Sequence, residues 1–206
     1  MRTIFLTAAV LIFFGVNVVA QNAKGGFFKL SHPERWWVIC HPFKAKKAWK
    51  ATDRTLQITD SIGQTGILGT DLNGGQLDAF KHSFWMIELS RQIGTKAAIA
   101  LGRAHEKGNY KDFLKGRSED GSLPDKAASD MDNFNNGVGV ELFELNREAS
   151  ERERVEFVIN YIIEGKMKIL KKNQNQFLTC NGDPVDKKSY LGKWENDKCL
   201  VPSNEL

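Results

Sequence analysis

Beyond its first sixteen residues the sequence has no second long apolar run, and it contains no internal repeat and no low-complexity tract. A membrane span needs about 20 predominantly apolar residues, so nothing after the opening run qualifies as one. The other two absences exclude a repeat architecture and a compositionally disordered segment. Nor is there an excess of one charge. Cleavage after Ala20 would remove only Arg2 from the 29 basic residues, leaving 28 against 25 acidic ones, a net charge of +3. That balance, with no face of interleaved bases and aromatics, excludes a nucleic-acid binder. The densest basic run, Lys44, Lys46, Lys47 and Lys50, reads as a solvated helix face; the alternative is a loose electrostatic hold on an anionic envelope polymer.

Cysteine is scarce, with three in the chain. Cys180 and Cys199 bracket a turn-rich tail and make the natural disulfide in an oxidising compartment. Cys40, in W-W-V-I-C, is then odd and is expected to be a buried thiol, not a nucleophile. No H-E-x-x-H or comparable metal-ligand spacing occurs.

What is present begins with a removable address. Arg2 supplies a charged start, residues 4–16 an apolar stretch too short to span, and Val18-Val19-Ala20 a small-residue cleavage site. No cysteine stands at the cut, so a lipid anchor is not expected. The reading is a periplasmic or secreted protein of 186 residues after cleavage, enough for one domain with a real core. It divides into a signal peptide (1–20), an N-terminal leader (21–40, with 27–40 aromatic and irregular), a helical core (41–165) and a small β appendage (166–206).

The core turns on residues 77–93. Leu77, Phe80, Phe84 and Ile87 form one apolar stripe at the helical period; Trp85, Met86, Leu89 and Ile93 form a second. Only Lys81, Glu88 and Gln92 are left for water, and a helix apolar on nearly all sides belongs in the middle of a fold. His41-Pro42 opens an earlier helix to about residue 62, with Ala45, Ala48, Trp49, Thr52 and Leu56 inward. Asn73 is the expected cap of the central helix. Gly94 ends that helix, and residues 96–106, lined with Ala97, Ala98, Ala100, Gly102 and Ala104, form the next, ending near Gly108-Asn109. Pro124 opens a helix through Val140, and Ser150 with Glu153 is a capping box for another to about Glu164. The predicted fold is mainly α: a compact helical domain around one central buried helix, with a small C-terminal β-hairpin closed by a disulfide.

The candidate site follows from a count. His82 lies twelve residues before Gly94 and His105 eleven after it, so both stand ~17 Å from the bend at ~1.5 Å per residue. If the two helices fold back on each other, the histidines meet. Asp78 is one turn from His82 and can orient its ring, making it a general base. Glu106 and Asp132 can supply a second acid or hold a cation. Asn135 and Asn136 share Asp132's flank, and Asn136 can donate to a developing oxyanion. N-N-G-V-G (135–139) is poor helix sequence, and such local rule-breaking often marks function. A metal reading takes His82, His105 and Asp132 around a divalent ion.

Three words, D-A-F-K-H-S-F-W (78–85), A-H-E (104–106) and M-D-N-F-N-N-G-V-G (131–139), resemble the motifs of a bacterial exported family of unknown function. The resemblance implies a helical domain, makes the three motifs its shared site, and implies an envelope setting but no reaction. Many relatives carry histidine where this chain has Phe134. A fainter resemblance, of layout alone, is to secreted phospholipases A2: Gly74, Gly75, Asp78 and His82, then Asp132. Ser83 stands where those enzymes carry a calcium-binding aspartate.

Two functions are therefore expected: a hydrolase of an envelope polymer or lipid, or a non-catalytic envelope protein whose His/Asp/Asn network is structural or binds a ligand. The sequence leaves substrate, bound metal and oligomeric state open.

Overall fold

A computed structural model describes residues 29–118 and 123–205. The segment read as a signal peptide and the first part of the leader lie outside them. Among the described residues six main helices follow in chain order: α1 (His32–Cys40), α2 (Pro42–Thr65), α3 (Gln76–Ile93), α4 (Thr95–Phe113), α5 (Lys126–Leu145) and α6 (Glu151–Ile163). A short α7 (Lys187–Tyr190) and four short strands complete the tail: β1 (Lys168–Leu170), β2 (Lys172–Asn173), β3 (Gln176–Phe177) and β4 (Leu200–Pro202).

α3 is the axis, packed by α2, α4, α5 and α6. Its two stripes feed two different clusters. Leu77, Phe80, Phe84 and Ile87 pack with Leu142, Phe143, Val158, Ile162 and Met167. Met86, Leu89 and Ile93 pack with Trp37, Ala48, Ala98 and Leu101. Full burial of each large side chain contributes about 2 kcal/mol, so α3 alone anchors both halves.

Of its third strip, Lys81 and Gln92 are half-buried and only Glu88 is withdrawn from water. Glu88 is buried and ionically held by Arg154 of α6 (Oε1 to Nε 2.9 Å) and by Arg91 (Oε2 to Nη2 2.8 Å). Glu88 lies four residues after Phe84 on the α6 side, and the guanidinium supplied from 66 residues away removes the need for solvent. Gly94 (φ 83°) makes the reversal into α4, and Lys44 of α2 donates to the last α3 carbonyl, Ile93 O, at 2.8 Å.

Five other expectations change. The leader's 32–40 stretch is helical, because Ser31 and Glu34 form a capping box and Pro33 sits in the first turn, where its missing N–H costs nothing. Cys40, at the end of that helix, is exposed. α4 runs past Gly108, which lets its backbone lie against Ser31: a β-carbon there would stand 2.7 Å from the Ser31 Cβ. Trp49 and Leu56 are exposed, and the inward face of α2 is Ala48, Ala51, Thr55 and Thr59. Gly75, not Asn73, is the N-cap of α3.

The tail is two antiparallel strand pairs, β1 with β4 (Ile169 opposite Val201) and β2 with β3 (Lys172 opposite Phe177), tied by the Cys180–Cys199 disulfide. It also fixes the start of α5. Lys198 reaches the N-cap Asp125 at 2.5 Å while its ammonium lies 3.8 Å from the Phe177 ring centre.

Candidate functional site

Three side chains from two helices converge at the α3–α5 interface. Asp78 and His82, one turn apart on α3, meet Asp132 of α5; one ligand atom from each lies within 4.8 Å of the others. His82 Nε2 is 3.2 Å from Asp132 Oδ1 and 3.6 Å from Asp78 Oδ1. A single nitrogen thus faces both carboxylates. That differs from a catalytic triad, in which the second ring nitrogen meets the acid. The cluster is deeply set: Asp78, His82 and Asp132 are 6%, 5% and 8% exposed.

α3 and α5 come this close because of a glycine. A β-carbon on Gly139 would fall on the Ser83 carbonyl oxygen and stand 2.9 Å from its Cα. The backbones touch there, and Ser83 Oγ bonds Asn135 O across the same seam at 3.1 Å. Of the rule-breaking N-N-G-V-G, Gly139 is therefore a packing requirement, whereas a β-carbon on Gly137 would meet open space.

The neighbours are specific. The Gly74 N–H donates to Asp78 Oδ2 at 2.8 Å, and Lys81 Nζ lies 2.9 Å from Asp78 Oδ1. Glu106 accepts from Ser129 Oγ at 2.8 Å. The His105 ring centre stands 6.3 Å from that of His82, as equal spacing from Gly94 predicts. His105 is turned elsewhere, however: Nδ1 meets Glu34 Oε1 of α1 at 3.0 Å, and the ring packs edge-on to Trp85. The cluster of potential metal ligands thus has Asp78 where the sequence suggested His105. Asn135 joins α5 to the tail, its side chain accepting from Lys168 N (3.0 Å) and donating to Lys168 O (2.9 Å). Asn136 is the neighbour that favours a charged His82, although neither its amide atoms nor His82 Nδ1 completes a well-directed hydrogen bond.

Electrostatics push the pair toward neutrality. Burial, then the charges of Lys81 and His105, hold His82 well below the usual imidazole value. Burial, then the Asp78 and Glu106 carboxylates, hold Asp132 well above the usual carboxylate value. Glu34 goes the other way. Burial would raise it, but the hydrogen bond and charge of His105 bring it down to about 2.

His82 and Lys81 separate two cavities. One, of ≈ 280 Å³, is mainly apolar and runs between α1, α2, α3 and α4 past Trp37, Ala48, Trp49, Leu101 and His105. The other, of ≈ 40 Å³, is more polar than the first and is lined by Asp78, His82 and Asp132 together with Asn73, Asn109 and Ser129. Sequence reasoning missed Glu34, because residues 27–40 read as irregular and the Ser31–Glu34 capping box went unseen, and Lys81, because it was assigned to solvent.

No curated protein and no solved structure matches the chain. A family model described as a domain of unknown function, DUF6973, matches residues 35–166, more than half of the chain. That span contains α2 to α6, both cavities' principal walls and the whole Asp78–His82–Asp132 cluster. The chain belongs to the DUF6973 family.

Proposed function

We propose that this protein is an exported hydrolase that cleaves an acyl bond in an envelope lipid. The observation that carries the reading is the position of His82, on the wall of an apolar cavity and of a small polar one at once. An acyl chain in the ≈ 280 Å³ cavity brings its carbonyl to Lys81 and His82, while the ≈ 40 Å³ cavity holds about one water beside the carboxylates. The water oxygen bonds to the acyl carbon as the ester carbon–oxygen bond breaks. Its proton passes to the neutral His82 imidazole, and the protonated Asp132 returns one to the leaving alcohol. Lys81 is better placed than Asn136 to steady the oxyanion, since it lines both cavities.

Lipid is favoured over glycan by the cavity's apolar walls and by the surface of α2. Phe43 is 94% exposed and Trp49 58%, with Lys46, Lys47 and Lys50 exposed around them, a pattern suited to an anionic membrane surface. Among the described residues no helix is long and apolar enough to cross a membrane.

The test is turnover of p-nitrophenyl esters of increasing chain length and of phosphatidylglycerol vesicles. Activity that rises with chain length and is lost in a folded His82→Ala variant is expected. No turnover of any ester, or full activity in His82→Ala, sinks the reading. The second reading, a structural network, is favoured by the depth of the cluster; a His82→Ala chain that unfolds supports it.

A further inference from the structure

We infer that Asp78, His82 and Asp132 form a binding site for one divalent transition cation of the zinc or manganese kind. The inference concerns the same centre as the proposed hydrolase but does not depend on it: the ion takes Asp132 as its ionised carboxylate and His82 through Nε2, and so competes with the proton-transfer state that the hydrolase uses. Around such an ion, ligand atoms lie ~2.0–2.2 Å from the metal, which places neighbouring donors ~3–4 Å from one another. His82 Nε2 stands at 3.2 and 3.6 Å from its two carboxylate partners, and the three donors span no more than 4.8 Å. Little rearrangement is needed to close them on an ion.

Two further features point to a ligand there. Asp132 Oδ1 is buried and forms no hydrogen bond among the described residues, although it lies 3.2 Å from His82 Nε2. An unbonded carboxylate oxygen at that depth is costly unless a cation completes it. The ≈ 40 Å³ cavity is lined by all three residues, leaving room for a water as a fourth ligand, the open arrangement of reactive centres rather than the closed one of structural sites. The outer shell is in place as well: the Gly74 N–H holds the second oxygen of Asp78. One imidazole with two carboxylates suits zinc or manganese, while calcium would ask for six or more oxygens.

Lys81 is the competitor. Its ammonium is 2.9 Å from Asp78 Oδ1, one of the three donor atoms. An incoming ion must displace it, and the side chain borders both cavities into which it can swing. Lys81→Ala should therefore bind a cation more tightly, an effect that a purely structural network has no reason to show.

The experiment is a titration of the full exported chain, stripped with chelator, with Zn²⁺, Mn²⁺ and Ca²⁺ by calorimetry, with far-UV circular dichroism on every variant. One equivalent of Zn²⁺ or Mn²⁺ is expected, weakened more than about 100-fold in the near-isosteric Asp132→Asn and tightened in Lys81→Ala. Absence of stoichiometric binding, binding unchanged in folded Asp132→Asn, or Lys81→Ala no tighter than the parent overturns the inference. A chain that binds the ion but hydrolyses nothing leaves it standing and removes only the hydrolase; an active chain that binds no ion does the reverse.

Discussion

Gly139 lies on the backbone of Ser83, so that α3 and α5 meet main chain to main chain one residue from the point where His82 faces Asp132. The site and this close backbone approach therefore share one helix–helix seam. Gly139→Ala must push the helices apart, since the atoms it meets are backbone and have no rotamer to yield. A loss of about 3 kcal/mol or more is expected. Gly137, two residues earlier and open on its outer side, should behave oppositely: Gly137→Ala gains about 0.5–1 kcal/mol from helix propensity. Urea denaturation of the two variants checks both signs.

Asp132 should trade stability for function. Its folded carboxyl holds a proton more tightly than the unfolded chain does, so this group's contribution to stability falls as pH rises from the ordinary carboxylate range through its raised value. In the presence of chelator, Asp132→Asn is therefore expected to be more stable than the parent at pH 8, the difference closing toward pH 4. Thermal unfolding at both pH values measures it; an Asn variant less stable at pH 8 contradicts it.

Glu34 has the opposite sign. Its value, lowered from 4.5 to about 2, means that its contribution is fully present above about 4.5 and is lost as pH falls toward 2. Glu34→Gln should cost at most about 3 kcal/mol at pH 6 and almost nothing at pH 2. The stability curves of parent and variant should converge between those limits. The same change frees His105 from α1, so amide exchange in residues 32–40 should quicken.

The disulfide closes a loop of 19 residues in a tail that has only short strands. Replacing both cysteines with serine is expected to cost about 3 kcal/mol by the loop-entropy estimate. Because the tail holds Asp125 through Lys198, the start of α5 should loosen along with it. Reduction without mutation, followed by amide exchange at residues 126–132, tests the coupling.

Much of the helical frame was written in local sequence. The two stripes of residues 77–93 entered two clusters as their periodicity required, Ser150 and Glu153 capped α6, and Gly94 set the bend that brings the rings of His82 and His105 within 6.3 Å. These are properties of near neighbours along one chain, where the 3.6-residue repeat fixes direction. What the sequence could not decide is which way each polar side chain turns once buried, because that depends on partners from elsewhere. Arg154, 66 residues on, brought Glu88 inside; Glu34, 71 residues back, turned His105 from the cluster; Gly139, by admitting α5 against Ser83, delivered Asp132 to His82. Local spacing named Asp78, His82, His105 and Asp132 as candidates. Only the packing of α3 against α5 and α1 against α4 chose which of them meet.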